Sequence, residues 1–191
     1  MPIWITTGLL TIWAADAAAQ AAPAIAAFSA AAGTQPPPPW RAVGLPGNKA
    51  PLTLMDIAEA DGARVLRLQA SESYGALVHE VPPWRPPEGA SLQWRWRLEQ
   101  PLAKPDLHRK DGDDAALKVC VMFDMALDGL PFFERTLLRL ARVFSGELLP
   151  AATICYVWDI TLARDMALPN PYSRRLRYLV VDGADSAPGA W

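Results

Sequence analysis

Hydrophobic residues along this chain recur mostly in short runs of five to nine, either alternating with polar residues or unbroken, and Gly, Pro and Asp clusters separate them. That spacing predicts β-strands at residues 52–57, 63–70, 75–81, 92–98, 117–124, 153–160 and 176–181. The clearest is SLQWRWRLE, where Leu92, Trp94, Trp96 and Leu98 share one face and Gln93, Arg95, Arg97 and Glu99 the other. One departure from the β pattern falls at residues 130–149. Pro131 suits a first helical turn there, and Phe133, Leu137, Leu140, Ala141 and Phe144 recur at helical spacing with Arg135, Arg139 and Arg142 opposite. The expected fold is all-β and mainly antiparallel, a jelly-roll-like β-sandwich with one amphipathic α-helix.

The amino terminus reads as an address. Residues 3–13, IWITTGLLTIW, have the length of a signal-peptide hydrophobic region and are short for a bilayer span, and small residues suited to cleavage follow near Ala19 and Ala21. Residues 1–21 are therefore expected to be a signal peptide and 22–39 an Ala/Pro-rich linker ending in four prolines, with the folded domain running from Trp40 to Trp191. A periplasmic or secreted location follows, with no stable membrane insertion beyond the leader.

Composition narrows the classes. A 51% hydrophobic and 20% charged chain of 191 residues fits a folded soluble domain. Eighteen Lys and Arg against twenty Asp and Glu give no general electrostatic drive toward nucleic acid. Nineteen prolines, about twice the usual share of roughly 5%, imply many loops. Cys120 and Cys155 each sit in an apolar β-like run, so they read as buried free thiols, the commoner outcome, or as one strand-to-strand disulfide.

Candidate chemistry gathers in two polar clusters. HRKDGDD, residues 108–114, enters the strand at 117; Asp113 and Asp114 could offer oxygen to calcium, but the spacing is not that of an EF-hand loop. The plainer expectation is a turn whose aspartates pair with arginines. PNPYSRRLRY places Asn170, Tyr172 and Arg175 around a proline turn, where arginine beside an aromatic can grip phosphate or carboxylate. Nucleophile-elbow, P-loop, zincin and dinucleotide-binding motifs do not occur, and the two histidines, His79 and His108, lie far apart in sequence. No catalytic residue and no metal ligand is assigned.

Taken in order, Trp94-Arg95-Trp96-Arg97, residues 110–116 (KDGDDAA), Val119-Cys120-Val121, Tyr156-Val157-Trp158 and Asn170-Pro171-Tyr172 with Arg175 and Val180-Val181 resemble the bacterial domain-of-unknown-function family 3047. The resemblance implies an exported, single-domain β-sandwich and carries no established activity. It also implies that the chain stops before the family's last strands. The expected function is a non-catalytic binding module for a carbohydrate or small polar or anionic ligand in the cell envelope, using Arg95, Arg97, Asp113, Asp114, Asn170, Tyr172 and Arg175. The alternatives are a metal-dependent envelope hydrolase built on Asp113 or Asp114, and a structural or protein-interaction scaffold.

Overall fold

The computed structural model describes residues 21–45, 47, 49–124, 135 and 151–191. They are mostly β-strand and loop, the strands pair antiparallel with one parallel exception, an isolated parallel bridge joins Leu52 to Tyr74, and the chain divides into two compact units, Met1–Leu92 and Gln93–Trp191. The helix expected at residues 130–149 lies, apart from Arg135, outside the described residues. No helix among the described residues is long and apolar enough to cross a membrane.

In the first unit, β1 (Arg41–Val43) pairs with β4 (Ala76–Val78), and β2 (Leu54–Ala60) forms a hairpin with β3 (Ala63–Gln69). The hairpin closes because Asp61 and Gly62 both adopt positive φ, at 49° and 76°, as a two-residue turn matched to strand twist requires. β4 is shorter than the run expected at 75–81, since its partner β1 begins at Arg41, opposite Val78, and the prolines just before Trp40 cannot donate to a ladder. The stretch read as a linker has contacts of its own. A single 3-10 turn forms at Phe28–Ala30, Phe28 packs its ring 4.9 Å from that of Trp40, and Ile57 donates its backbone N–H to the Thr34 carbonyl.

The second unit holds a four-stranded sheet in the order β5 (Leu117–Phe123), β6 (Ala152–Trp158), β8 (Leu176–Asp182), β7 (Ala167–Pro169). β6 and β8 run parallel, and the crossover that parallel neighbours need is residues 159–175, which supply β7 as the outer antiparallel strand. Register sets Cys120 opposite Cys155, Cys155 beside Tyr178, Val157 beside Val180, and Tyr178 beside Leu168. Those side chains share one face, and Leu107 from the preceding loop closes over it, leaving Leu107 at 1% and Val157 and Val180 at 0% exposure. Each such aliphatic side chain contributes roughly 1.5–3 kcal/mol on burial.

Residues 92–98 do not form the expected strand. They join no ladder, and the alternation holds only in part: Trp94 and Trp96 lie half-buried, Leu98 is buried and Gln93 and Arg95 are exposed, whereas Leu92 is exposed and Arg97 half-buried. Trp94 lies 5.2 Å from Tyr156 and Trp96 lies 6.1 Å from Trp158, so the segment covers β6 with its rings instead of bonding to a neighbour. Trp96 is fixed further by its Nε1–H, which donates to Asp182 Oδ2 at 2.6 Å. Alternation requires a buried face; a strand requires a partner as well.

The cysteines likewise correct the free-thiol reading. The antiparallel register places them directly opposite with Cα atoms 4.0 Å apart, and they form a disulfide that ties edge strand β5 to β6. Their sequence separation of 35 residues sets the expected stabilisation at about 3–4 kcal/mol by loop closure. Urea unfolding with and without a thiol reductant measures it, and an unchanged midpoint on reduction would contradict that value.

Candidate functional site

The two polar clusters meet in the second unit. Residues 106–112 close on themselves, with Asp106 donating its N–H to the Gly112 carbonyl at 2.9 Å and Arg109 donating to the Asp106 carbonyl. Gly112 is required because a Cβ there would stand 2.9 Å from that of Asp106. This tight loop delivers Asp113 to the sheet. On the other side, Asn170 directly follows β7, and its Oδ1 accepts the backbone N–H of Tyr172 at 3.0 Å and of Ser173 at 2.9 Å, the side-chain turn that an Asn-Pro sequence favours.

A closed ring of hydrogen bonds joins the two loops to β8. Asn170 Nδ2 donates to Asp113 Oδ2 at 2.8 Å and to Tyr178 Oη at 2.7 Å, while Tyr178 Oη donates to Asp113 Oδ1 at 2.6 Å. Asn170 and Tyr178 are buried and Asp113 is half-buried. Burial first, then the hydrogen bond and negative charge of Asp113, push the Tyr178 phenol well above its ordinary range, with a smaller contribution from the charge of Asp114. The phenol therefore stays protonated and serves as a donor.

The remaining expected residues surround this ring or lie on other contacts. Tyr172 is exposed, donates its hydroxyl to the Lys110 carbonyl at 2.6 Å, and has the Lys110 ammonium 5.5 Å from its ring centre. Asp114 is exposed. Arg175 donates from Nη1 to the Ala151 carbonyl at 3.0 Å, bracing the start of β6. Arg95 and Arg97 stack over the half-exposed indole of Trp191, at 5.5 Å and 4.9 Å, and Arg97 also pairs with Glu99 at 2.7 Å. Gly189 donates its N–H to the Leu98 carbonyl, which brings Trp191 to these arginines.

Two important residues escaped the sequence reading. Tyr178 fell within the strand expected at 176–181 and was given no role; the available signal was its polar tip, which a buried tyrosine must satisfy. Trp191 stood beyond the last expected strand with no periodicity to place it. Among the described residues, no group of three or more His, Cys, Asp or Glu side chains is arranged to hold a metal ion. A cleft lined by Leu98, Pro101, Leu102, Pro105, Ala116, Trp158 and Ile160 has a volume of about 10 Å³, room for about one water molecule and far below the roughly 300 Å³ at which ligand pockets begin.

Strands, loop-to-sheet ring and stacked arginines together describe a β-rich protein with a buried polar lock and an aromatic–cationic surface. Residues 38–191 match the family described as Protein of unknown function (DUF3047), and the chain belongs to that family. No curated protein and no solved structure matches the chain.

Replacing Tyr178 by Phe leaves one oxygen of Asp113 without its donor and is expected to cost about 1–3 kcal/mol in denaturant unfolding. The pH dependence has a definite sign. Because the folded protein raises the phenol above its ordinary value near 10, the lock contributes fully below about pH 10 and is lost as pH rises further. Ultraviolet titration of the native protein should show fewer tyrosines ionising near pH 10 than in urea, the difference vanishing in Tyr178→Phe.

Proposed function

We propose that the protein is a non-catalytic binding module of the cell envelope that takes a carbohydrate or small anionic ligand on an open surface. The observation that carries this reading is the placement of Arg95 and Arg97 against the half-exposed Trp191 indole. A flat aromatic ring stacks on a sugar face, and guanidinium groups bind carboxylate or phosphate through paired hydrogen bonds. The small volume of the cleft near Trp158 favours an open surface over an enclosed pocket.

The ring of Asp113, Asn170 and Tyr178 has a positioning role in this proposal. Both carboxylate oxygens of Asp113 are engaged by neighbours, and that arrangement favours a binding module over the hydrolase alternative. A periplasmic or secreted location is part of the proposal and is supported by the disulfide, since such bonds persist in oxidising compartments. So is a jelly-roll-type sandwich, supported by the prevalence of antiparallel pairing.

The test is calorimetric titration of the oxidised chain with neutral and acidic oligosaccharides and with simple organic dianions. Binding is expected to weaken at least about tenfold in Trp191→Ala and in Arg95→Glu with Arg97→Glu, and to fall with added salt because the charges are exposed. Failure to bind any of these probes, or binding that survives both variants, would overturn the proposal.

A further inference from the structure

Ala26 is held by its backbone alone. Its N–H donates to His79 Nε2 at 3.1 Å, and its carbonyl accepts the Trp40 indole N–H at 2.8 Å. The His79 and Trp40 rings meet edge to face at 4.8 Å, and Phe28 packs on Trp40 at 4.9 Å. Two aromatic side chains of the first unit thus clasp the main chain just before the turn at Phe28–Ala30.

The chemistry of the clasp is asymmetric. Trp40 donates irrespective of pH, whereas His79 must present a lone pair at Nε2, and only a neutral imidazole protonated at Nδ1 does so. The Nδ1 atom is buried without a hydrogen-bond partner, so the bond to Ala26 is the one that anchors the ring. A second proton would occupy the lone pair that Ala26 uses and set two N–H groups against each other. The charged groups on the elements packed here are Arg41 of β1 and Glu80 next to His79, paired with each other at 3.3 Å, and on β3, which packs against the turn at Phe28–Ala30, Arg64, which donates to the Gly33 carbonyl, and Arg67, which pairs with Asp56 of β2. Residues 21–33 contain no titratable side chain.

We propose that His79 and Trp40 form an acid-released strap: neutral imidazole holds residues 26–31 against the first unit, and protonation of His79 lets them go. The strap responds to the one proton that would occupy the His79 Nε2 lone pair. It is independent of the Trp191 surface and of any ligand bound there.

Hydrogen exchange of the full chain, expressed as protection relative to the intrinsic rate at each pH, tests the strap. The amides of Ala26, Ala30 and Ala31 are expected to lose about tenfold protection between pH 8 and pH 5, the equivalent of one hydrogen bond, while amides of β6 and β8 keep theirs. His79→Gln supplies an acceptor that does not titrate and should hold protection constant across this range. Nuclear magnetic resonance titration gives a second readout that needs no variant, the Ala26 amide shift following the His79 ring. Constant protection in the native chain, a pH response that persists in His79→Gln, or an Ala26 shift unlinked to His79 would each overturn the proposal.

Discussion

The side-chain amide of Asn170 uses both of its N–H groups and both lone pairs of its oxygen inside the protein. Such complete satisfaction is what makes a buried amide tolerable, because each unmet bond in an apolar setting costs on the order of 1–3 kcal/mol. Four pieces of chain depend on that one group. The 106–112 loop arrives through Asp113, β8 through Tyr178, and the 170–173 turn through two backbone amides, and the amide itself stands directly after β7. The apolar core of Leu107, Cys155, Val157, Leu168, Tyr178 and Val180 lies around the same tyrosine. Hydrophobic burial supplies the energy of this unit, and the hydrogen-bond ring specifies its arrangement.

The opposite face of β6 is treated differently. Trp94 and Trp96 lay their rings against Tyr156 and Trp158, and the charge-assisted bond from Trp96 to Asp182 ties this cover to the end of β8. Asp182 also accepts from Arg164 and Ser186, so one carboxylate gathers the tryptophan segment, the loop before β7 and the residues after β8. With this segment fixed, Arg95 and Arg97 are displayed beside Trp191 instead of moving freely. In the binding role we propose, that order is an advantage, since less side-chain freedom is lost when a ligand arrives.

Much of the sheet was legible from periodicity. The runs at 52–57, 63–70, 117–124, 153–160 and 176–181 correspond to β2, β3, β5, β6 and β8 with shifts of a few residues at most. β1 and β7, of three residues each, were too short to leave a period, and β7 ends in a proline that suits only an edge. At the candidate site, Asp113, Asn170 and Tyr172 were legible as turn residues with chemistry, whereas their closure through Tyr178 was not, because 65 residues separate Tyr178 from Asp113.

By itself, the sequence determined the β character, the turns and the two-faced segment around Trp94 and Trp96. These are local properties: alternation, proline and glycine placement and side-chain polarity act within a few residues. Only the tertiary structure decided that Cys120 faces Cys155, that residues 93–98 cover a sheet instead of joining one, and that His79 holds Ala26. Each of these depends on register or on contact between residues far apart in sequence. One residue of slip in a strand moves every side chain to the other face. The choice between free thiol and disulfide, or between strand and cover, is therefore made by the partner across the gap.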